Sequence, residues 1–302
     1  MPDDVVARDL AAAAGEQLLA LRAGWPAADG DDPDAERAAA SELRRQGDRQ
    51  SHEFLMAELQ RLRPGDAVLS EEGADDPARL AADRVWIVDP LDGTREFGEP
   101  GRRDWAVHVA LWQEGELTAG AVALPAQSLV LSTAAAPGTE GLPQLSEPED
   151  AEPARLRLLV SRSRPPEFVQ RLAERLGAEL MPMGSAGAKA AAVICGQADA
   201  YVHSGGQYEW DSAAPVAVAR AAGLHTSRID GSRLLYNQAD PSVPDILISP
   251  ARLAPGLLAA ISDVRAATGS GRPANADRPL STDLLSTDPL STDPLSTDSE
   301  LH

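Results

Sequence analysis

Apolar positions recur at helical spacing over residues 3–21, where Val6, Leu10, Ala14, Leu18 and Leu21 share one face. A Gly/Pro/Asp-rich stretch, GWPAADGDDPD, follows as a loop. A second helix is predicted over residues 50–62, with Phe54, Leu55, Leu59 and Leu62 inward and Pro64-Gly65 as its stop. The pattern then changes period. AVLSEE and RVWIVD read as strands, and WAVHVALW, LTAGAVAL and SLVLST as an antiparallel meander broken by Gly- and Pro-containing turns. After the polar, Pro-rich segment APGTEGLPQLSEPEDAEP the text alternates strand with helix. RLRLLVS, AELMPM, ADAYVH and DILIS are the strands; PPEFVQRLAERLG, SAGAKAAAVICG, WDSAAPVAVARAAG and APGLLAAISDVRAA are the helices. The simplest account is an α+β half over residues 1–150 and an α/β half over residues 151–268.

The last stretch follows a different rule. Leu-Ser-Thr-Asp occurs four times at a period of five, which suits neither helix nor strand, and one leucine per unit cannot build a core. Residues 269–302 are therefore expected to form a disordered tail, with an acidic docking peptide as the functional alternative.

Composition narrows the function. The net charge of −20 argues against a nucleic-acid-coating protein, which would need a basic face, and leaves any phosphate site in need of cations. The single cysteine, Cys195, rules out an intrachain disulfide and fits a reducing cytoplasm. The opening residues show no basic and apolar leader, and no apolar run reaches membrane-spanning length, so neither export nor a membrane partner is expected.

The candidate chemistry lies at element ends. Glu71 and Glu72 follow a strand in LSEEG, Asp89 and Asp92 close another in DPLDGT, and Asp211 opens a helix in YEWDSAAP. Asp48, in QGDRQ, stands just before the predicted second helix. Taken singly, each acid can be an N-cap or a solvated charge, and DPLDGT can be an Asx-turn. Together they form an oxygen-rich set without the His/Cys spacing of zinc, which favours Mg²⁺. Pro90 stiffens the turn so that the Leu91 carbonyl can face a metal. Gly93 permits a tight bend and Thr94 adds a hydroxyl. HEFLM lacks the second histidine of a zincin, and D-x-x-D is not the D-x-D of aspartyl-phosphate enzymes.

SEE, WIVDPLDGTREF and EWDSAAP resemble the three metal-site motifs of the inositol monophosphatase-like, lithium-sensitive phosphatases, in the expected order over residues 5–266. The ending DGTREF, with GDRQ, GSAGAKA and GGQYEWDSAAP, is similar to the CysQ branch, the 3′-phosphoadenosine 5′-phosphate (PAP) phosphatases, in its actinobacterial form. The resemblance implies the layered αβαβα sugar-phosphatase fold and two or three Mg²⁺ ions. Glu71, Asp89 and the Leu91 carbonyl would hold the first; Asp89, Asp92 and Asp211 the second; a third would sit near Glu71. Thr94 and Asp48 would orient and deprotonate the attacking water, with Glu71 completing the catalytic set. The implied reaction is hydrolysis of PAP to AMP and phosphate in a cytoplasmic enzyme of sulfur metabolism, which could be a homodimer. The alternative is an inositol monophosphatase or fructose-1,6-bisphosphatase of broad specificity.

Substrate contacts are read as pairs of alternatives. The N–H groups of Gly93 and Thr94 form an anion nest. Gly184 and Ser185 open a helix that can grip a sugar hydroxyl or second phosphate, or Gly184 simply makes the turn. Lys189, the only lysine of the chain, faces a nucleotide phosphate or forms a structural salt bridge; Arg162 reads the 5′-phosphate or lies on the surface. Tyr208 borders a base or joins the core, and Trp86, Trp105 and Trp112 serve packing.

Overall fold

The computed structural model describes residues 1–26, 32–135, 155–163 and 165–267. The connection predicted at 136–153 and the repeat tail at 269–302 lie outside the described residues.

Helix α1 (Asp3–Gly24) buries Val6, Leu10, Ala14 and Leu18, the face that periodicity picks out. Helix α2 spans Pro33–Leu62, far longer than the predicted 50–62. Asp32 caps it by accepting the Asp34 N–H at 3.0 Å, and Pro33 occupies the first turn, where its missing N–H costs nothing. Its buried stripe is Leu43, Gly47, Ser51, Leu55 and Leu59, at a strict spacing of four. Two of those five are not apolar, so the pattern conceals the first half of the helix. Asp48 consequently sits inside α2 rather than ahead of it.

The first sheet has strand order β1-β2-β3-β4-β5, with β1 (Ala67–Ser70), β2 (Arg84–Asp92), β3 (Ala106–Gln113), β4 (Glu116–Leu124) and β5 (Leu129–Ser132). Strands β1 and β2 run parallel, while β2 to β5 form the expected antiparallel meander. A short helix α3 (Thr94–Phe97) follows β2 directly. The second sheet comprises β6 (Arg157–Ser161), β7 (Glu179–Met183), β8 (Ala200–Tyr208), β9 (Leu224–Ser227) and β10 (Ser242–Pro250), ordered β7-β6-β8-β10-β9. Strand β6 is parallel to β7 and β8, but β10 is antiparallel to β8 and β9, so this sheet is mixed. Strand β9, LHTS, is short and half-buried, which left no periodic signal to predict it.

Helices α4 (Glu167–Leu176), α5 (Ala186–Ile194), α6 (Glu209–Ala221) and α7 (Ala254–Ala267) complete the chain. Alternation along β2 explains the layering. Trp86 and Val88 point into one core with α1 and α2; Val85 and Ile87 point into another with α5, α6 and the near face of the second sheet. Leu158, Val160 and Leu247 on the far face of that sheet pack on α4 and α7. The result is αβαβα, as the motifs imply.

The middle layer is thin because its residues are small. Gly120 of β4 faces α6 so closely that a Cβ there would lie 2.6 Å from Ala217 Cβ and 3.3 Å from the Ala214 carbonyl. Neither atom can rotate away, so Gly120→Ala must displace α6. We expect a cost of about 1–3 kcal/mol, read as a lower urea midpoint at an unchanged m-value; an unshifted midpoint would mean that the layer yields freely.

Candidate active site

The acids gather because β2 ends irregularly. Residues three apart in a regular strand face opposite sides. Here Asp89 pairs with His108 and Asp92 with Ala106, so β2 uses three steps where β3 uses two. This bulge at Pro90-Leu91 brings both aspartates to one side. Ser51 of α2 pins it by donating to the Pro90 carbonyl at 2.7 Å, and Asp89 Oδ1 accepts the Leu91 N–H at 3.0 Å. The Asx-type contact thus exists and supports the site. Gly93, at φ +82°, turns the chain into α3, and its lack of a side chain lets the Asp104 carbonyl and Ser185 pack against it.

Strand β1 delivers Glu71 beside β2, since Ser70 pairs with Val88 and the Glu71 N–H reaches the Val88 carbonyl at 3.3 Å. Asp211 enters from α6, where its carboxylate accepts the Tyr208 N–H at 2.7 Å; it is the third residue of the helix, not its cap. Each of Asp89, Asp92 and Asp211 offers an oxygen within 4.8 Å of the other two. Thr94 Oγ1 lies 2.9 Å from the Leu91 carbonyl and 3.2 Å from Asp48 Oδ1. Gly47 lets α2 come near enough for this, because a Cβ there would stand 2.7 Å from the Phe97 ring. The predicted metal and catalytic residues are therefore brought together.

Their electrostatics are uneven. Burial, with the Glu72 charge second, raises Asp48 to about 7 against the opposing pull of Thr94 and Arg44. Burial and the Asp92 charge raise Asp211 to about 7. Burial raises Glu71 to about 7 with help from the Asp92 and Glu72 charges, against a hydrogen bond with Asp89 that lowers it, while burial and the Glu71 charge push Asp89 upward. Asp92 is the exception. Burial alone would raise it, but His108 holds it below the usual carboxylate range. His108 is fully buried, with Nε2 3.2 Å from Asp92 Oδ2, too oblique for a full hydrogen bond, and Nδ1 3.1 Å from the Trp210 carbonyl. Burial lowers its basicity, yet Asp92 outweighs this and the imidazole is raised.

Three expectations at the pocket rim need correction. Ser185 Oγ and the Gly187 N–H both donate to Asp92 Oδ2, and the Gly184 N–H donates to Asp104 at 2.7 Å. The start of α5 thus grips protein carboxylates rather than standing open to substrate. Gly184 is also required for space, since a Cβ would strike the Glu96 carboxyl at 2.3 Å. Lys189 is only 5% exposed; its ammonium donates to the Gly184 and Ser185 carbonyls at 2.8 and 2.7 Å and lies 5.2 Å from the Tyr201 ring centroid. It braces this turn, where Ser185 has the strained φ of +40°, and neither faces solvent nor pairs with a carboxylate at hydrogen-bonding distance. Arg162 spans to Glu96 at 2.7 Å and Glu99 at 2.9 Å. Tyr208 is 46% exposed and stacked on Trp210, with centroids 4.8 Å apart.

Sequence reading missed Asp104, Gly187 and His108. A lone histidine within the apolar strand WAVHVALW, adjacent to a strand ending in paired aspartates, was the available signal for the last. It also missed a brace behind Asp211. Glu209 accepts the Asn237 and Gln238 N–H groups at 2.7 Å each, and buried Arg79 donates to Asn237 Oδ1 at 2.7 Å and to Asp75.

The donor set fits a hard dication. Beyond a few neutral donors and the His108 contact to Asp92, these buried carboxylates meet like charge, which is tolerated there only when protonated or joined by a cation. Oxygen donors alone suit Mg²⁺.

The model of the inositol monophosphatase family matches residues 2–266. A protein of Mycobacterium bovis named 3'-phosphoadenosine 5'-phosphate phosphatase is 54% identical over 222 residues, 72% of this chain and 81% of that relative. The protein of the same name from Mycobacterium leprae is 47% identical over 279 residues, 87% and 95% of the two chains. Among solved structures, CysQ from Bacteroides thetaiotaomicron superposes with a TM-score of 0.61 at 28% identity, covering 82% of this chain and 97% of its own.

A pH-dependent response to Mg²⁺ follows from the raised carboxyls. A carboxyl raised on folding contributes stability that is full below its unfolded value, about 4, and lost as pH climbs through its folded value. For Asp48, Glu71 and Asp211 that loss falls between about pH 4 and 7. In EDTA the Tm is expected to fall across this window, and Mg²⁺ to raise it more at pH 8 than at pH 5. Equal Mg²⁺ shifts at both pH values would mean that these carboxyls do not hold the ion.

Proposed function

The chain belongs to the inositol monophosphatase family, and from that premise we propose that it is a Mg²⁺-dependent phosphomonoesterase that converts PAP and water to AMP and phosphate. The observation that carries the nucleotide part is the 54% identity to a mycobacterial protein of that name. The inositol monophosphatase structures of Staphylococcus aureus and Thermotoga maritima resemble the chain at only 18% and 20% identity and support the fold alone.

Glu71, Asp89, the Leu91 carbonyl, Asp92 and Asp211 would hold the Mg²⁺. Bound there, the ion supplies positive charge to the phosphate oxygens and acidifies water. The remaining work belongs to the chain. The Thr94 hydroxyl has one hydrogen and two acceptors, Asp48 and the Leu91 carbonyl. With Asp48 ionised it points to Asp48, and its lone pairs accept a hydrogen from an attacking water. A proton can then pass from water through Thr94 to Asp48, whose raised basicity suits a general base near neutral pH. The Gly93 and Thr94 N–H groups would meet the phosphate oxygens at the turn into α3. Attack at phosphorus forms one P–O bond as the bond to the ribose 3′ oxygen breaks, and that oxygen takes up a proton from solvent water to leave as the hydroxyl of AMP. Glu96 and Glu99 engage Nε and Nη2 of Arg162, so a second phosphate would compete with them for its guanidinium. Among the described residues no helix is long and apolar enough to cross a membrane.

Phosphate release is the first test, with PAP, 3′-AMP, 5′-AMP, inositol 1-phosphate and fructose 1,6-bisphosphate at matched concentration. The proposal expects kcat/KM for PAP at least ~100-fold above the sugars, about 2.7 kcal/mol of transition-state discrimination. Comparable rates would make it a broad sugar-phosphate phosphatase. Thr94→Ala should lower kcat about 100-fold with KM little changed; a change confined to KM would refute the water-positioning role.

A further inference from the structure

His108 is tied at both ends. Its ring lies between β3 and α6, with Nδ1 on the Trp210 carbonyl at 3.1 Å and Nε2 3.2 Å from Asp92 Oδ2. Both neighbours are acceptors: Nδ1 makes a hydrogen bond to one, and Nε2 approaches the other obliquely, as an ion-pair contact. Trp210 immediately precedes Asp211, so the ring joins one proposed metal ligand to the backbone beside another. The fold makes room for it at Gly187, where a Cβ would lie 2.1 Å from Nε2. That same glycine gives its N–H to Asp92 Oδ2 at 2.7 Å, and Ser185 adds its hydroxyl. Three groups from two elements therefore converge on a single carboxylate oxygen. Only Oδ1 of Asp92 is left for a metal, and its direction is set by what holds Oδ2.

We propose that His108 is a positioning residue that fixes the spacing of Asp92 and Asp211 by bridging Asp92 Oδ2 to the Trp210 carbonyl, so that the pair is pre-set for a divalent cation. This rests on the metal reading of the site. Outer partners of this kind typically alter metal affinity 10- to 100-fold when removed. Removing a cationic ring would by itself favour Mg²⁺, so charge and placement must be separated.

Two neutral variants separate them. In His108→Asn the short amide can still serve the Trp210 carbonyl but cannot reach Asp92. In His108→Gln the longer amide can place a neutral donor near the position of Nε2, within reach of Asp92. Mg²⁺ is titrated calorimetrically into each metal-stripped full-length chain, after thermal unfolding in EDTA has shown it folded. The expected result is binding about tenfold tighter in His108→Gln than in His108→Asn. Equal affinities in two folded variants would overturn the proposal. A wild-type chain that binds no Mg²⁺ would instead overturn the metal reading beneath it. A check on the unmodified protein covers the case in which a variant does not fold. With ¹⁵N-labelled histidine, one ring should give two exchange-protected N–H signals that persist at saturating Mg²⁺. Loss of the Nε2–H signal on adding Mg²⁺ would show that the ring lets go of Asp92, and the proposal would fail.

Discussion

Everything in this molecule is arranged around a concentration of like charge that water cannot dilute. Asp48, Glu71, Asp89, Asp92 and Asp211 come from α2, from the ends of β1 and β2, and from α6, and they meet where the layers close over them. A buried carboxylate is expensive to keep ionised. Only Asp92 is drawn below the usual carboxylate range, with His108 the nearest counter-charge. The others are held up the pH scale by burial and by one another. Such an arrangement sacrifices some stability for a place prepared to receive a cation, a trade common at functional sites.

The geometry depends on residues that are notable for being small. Gly47 admits Phe97, Gly120 admits Ala217, Gly184 admits Glu96 and Gly187 admits His108. The first two set α2 and α6, which carry Asp48 and Asp211, and the last two set the start of α5, which holds Asp92. Behind Asp211 the polar chain from Asp75 through Arg79 and Asn237 to Glu209 ties the loop after Glu71 to the start of α6. Buried polar groups of this kind are tolerable because their partners are present.

Much of this could be read in the residues themselves. The D-x-x-D pair, SEE and EWDSAAP specify the acidic centre, and the change from period 3.6 to period 2 marks most elements. Less legible was whatever depended on a partner distant in the chain. Helix α2 was underestimated because glycine and serine stand in its buried stripe. Strand β9 was missed because it is too short to carry a pattern. For Lys189 the residues left a phosphate contact and a structural salt bridge both open, and for Arg162 a phosphate contact and a surface position; the fold gives one to backbone carbonyls and the other to Glu96 and Glu99. Charge is visible in a sequence, but its partner is a product of folding.

The burial of Lys189 has a practical side. It is the only lysine, so the chain offers amine-reactive reagents no exposed side-chain target among its described residues. Acylation at that position requires the turn before α5 to open, and opening it also loosens the hold of Ser185 and Gly187 on Asp92. The rate at which an acylating dye attaches to this one nitrogen is therefore a clock for the breathing of the centre, built into the chain without any engineered label.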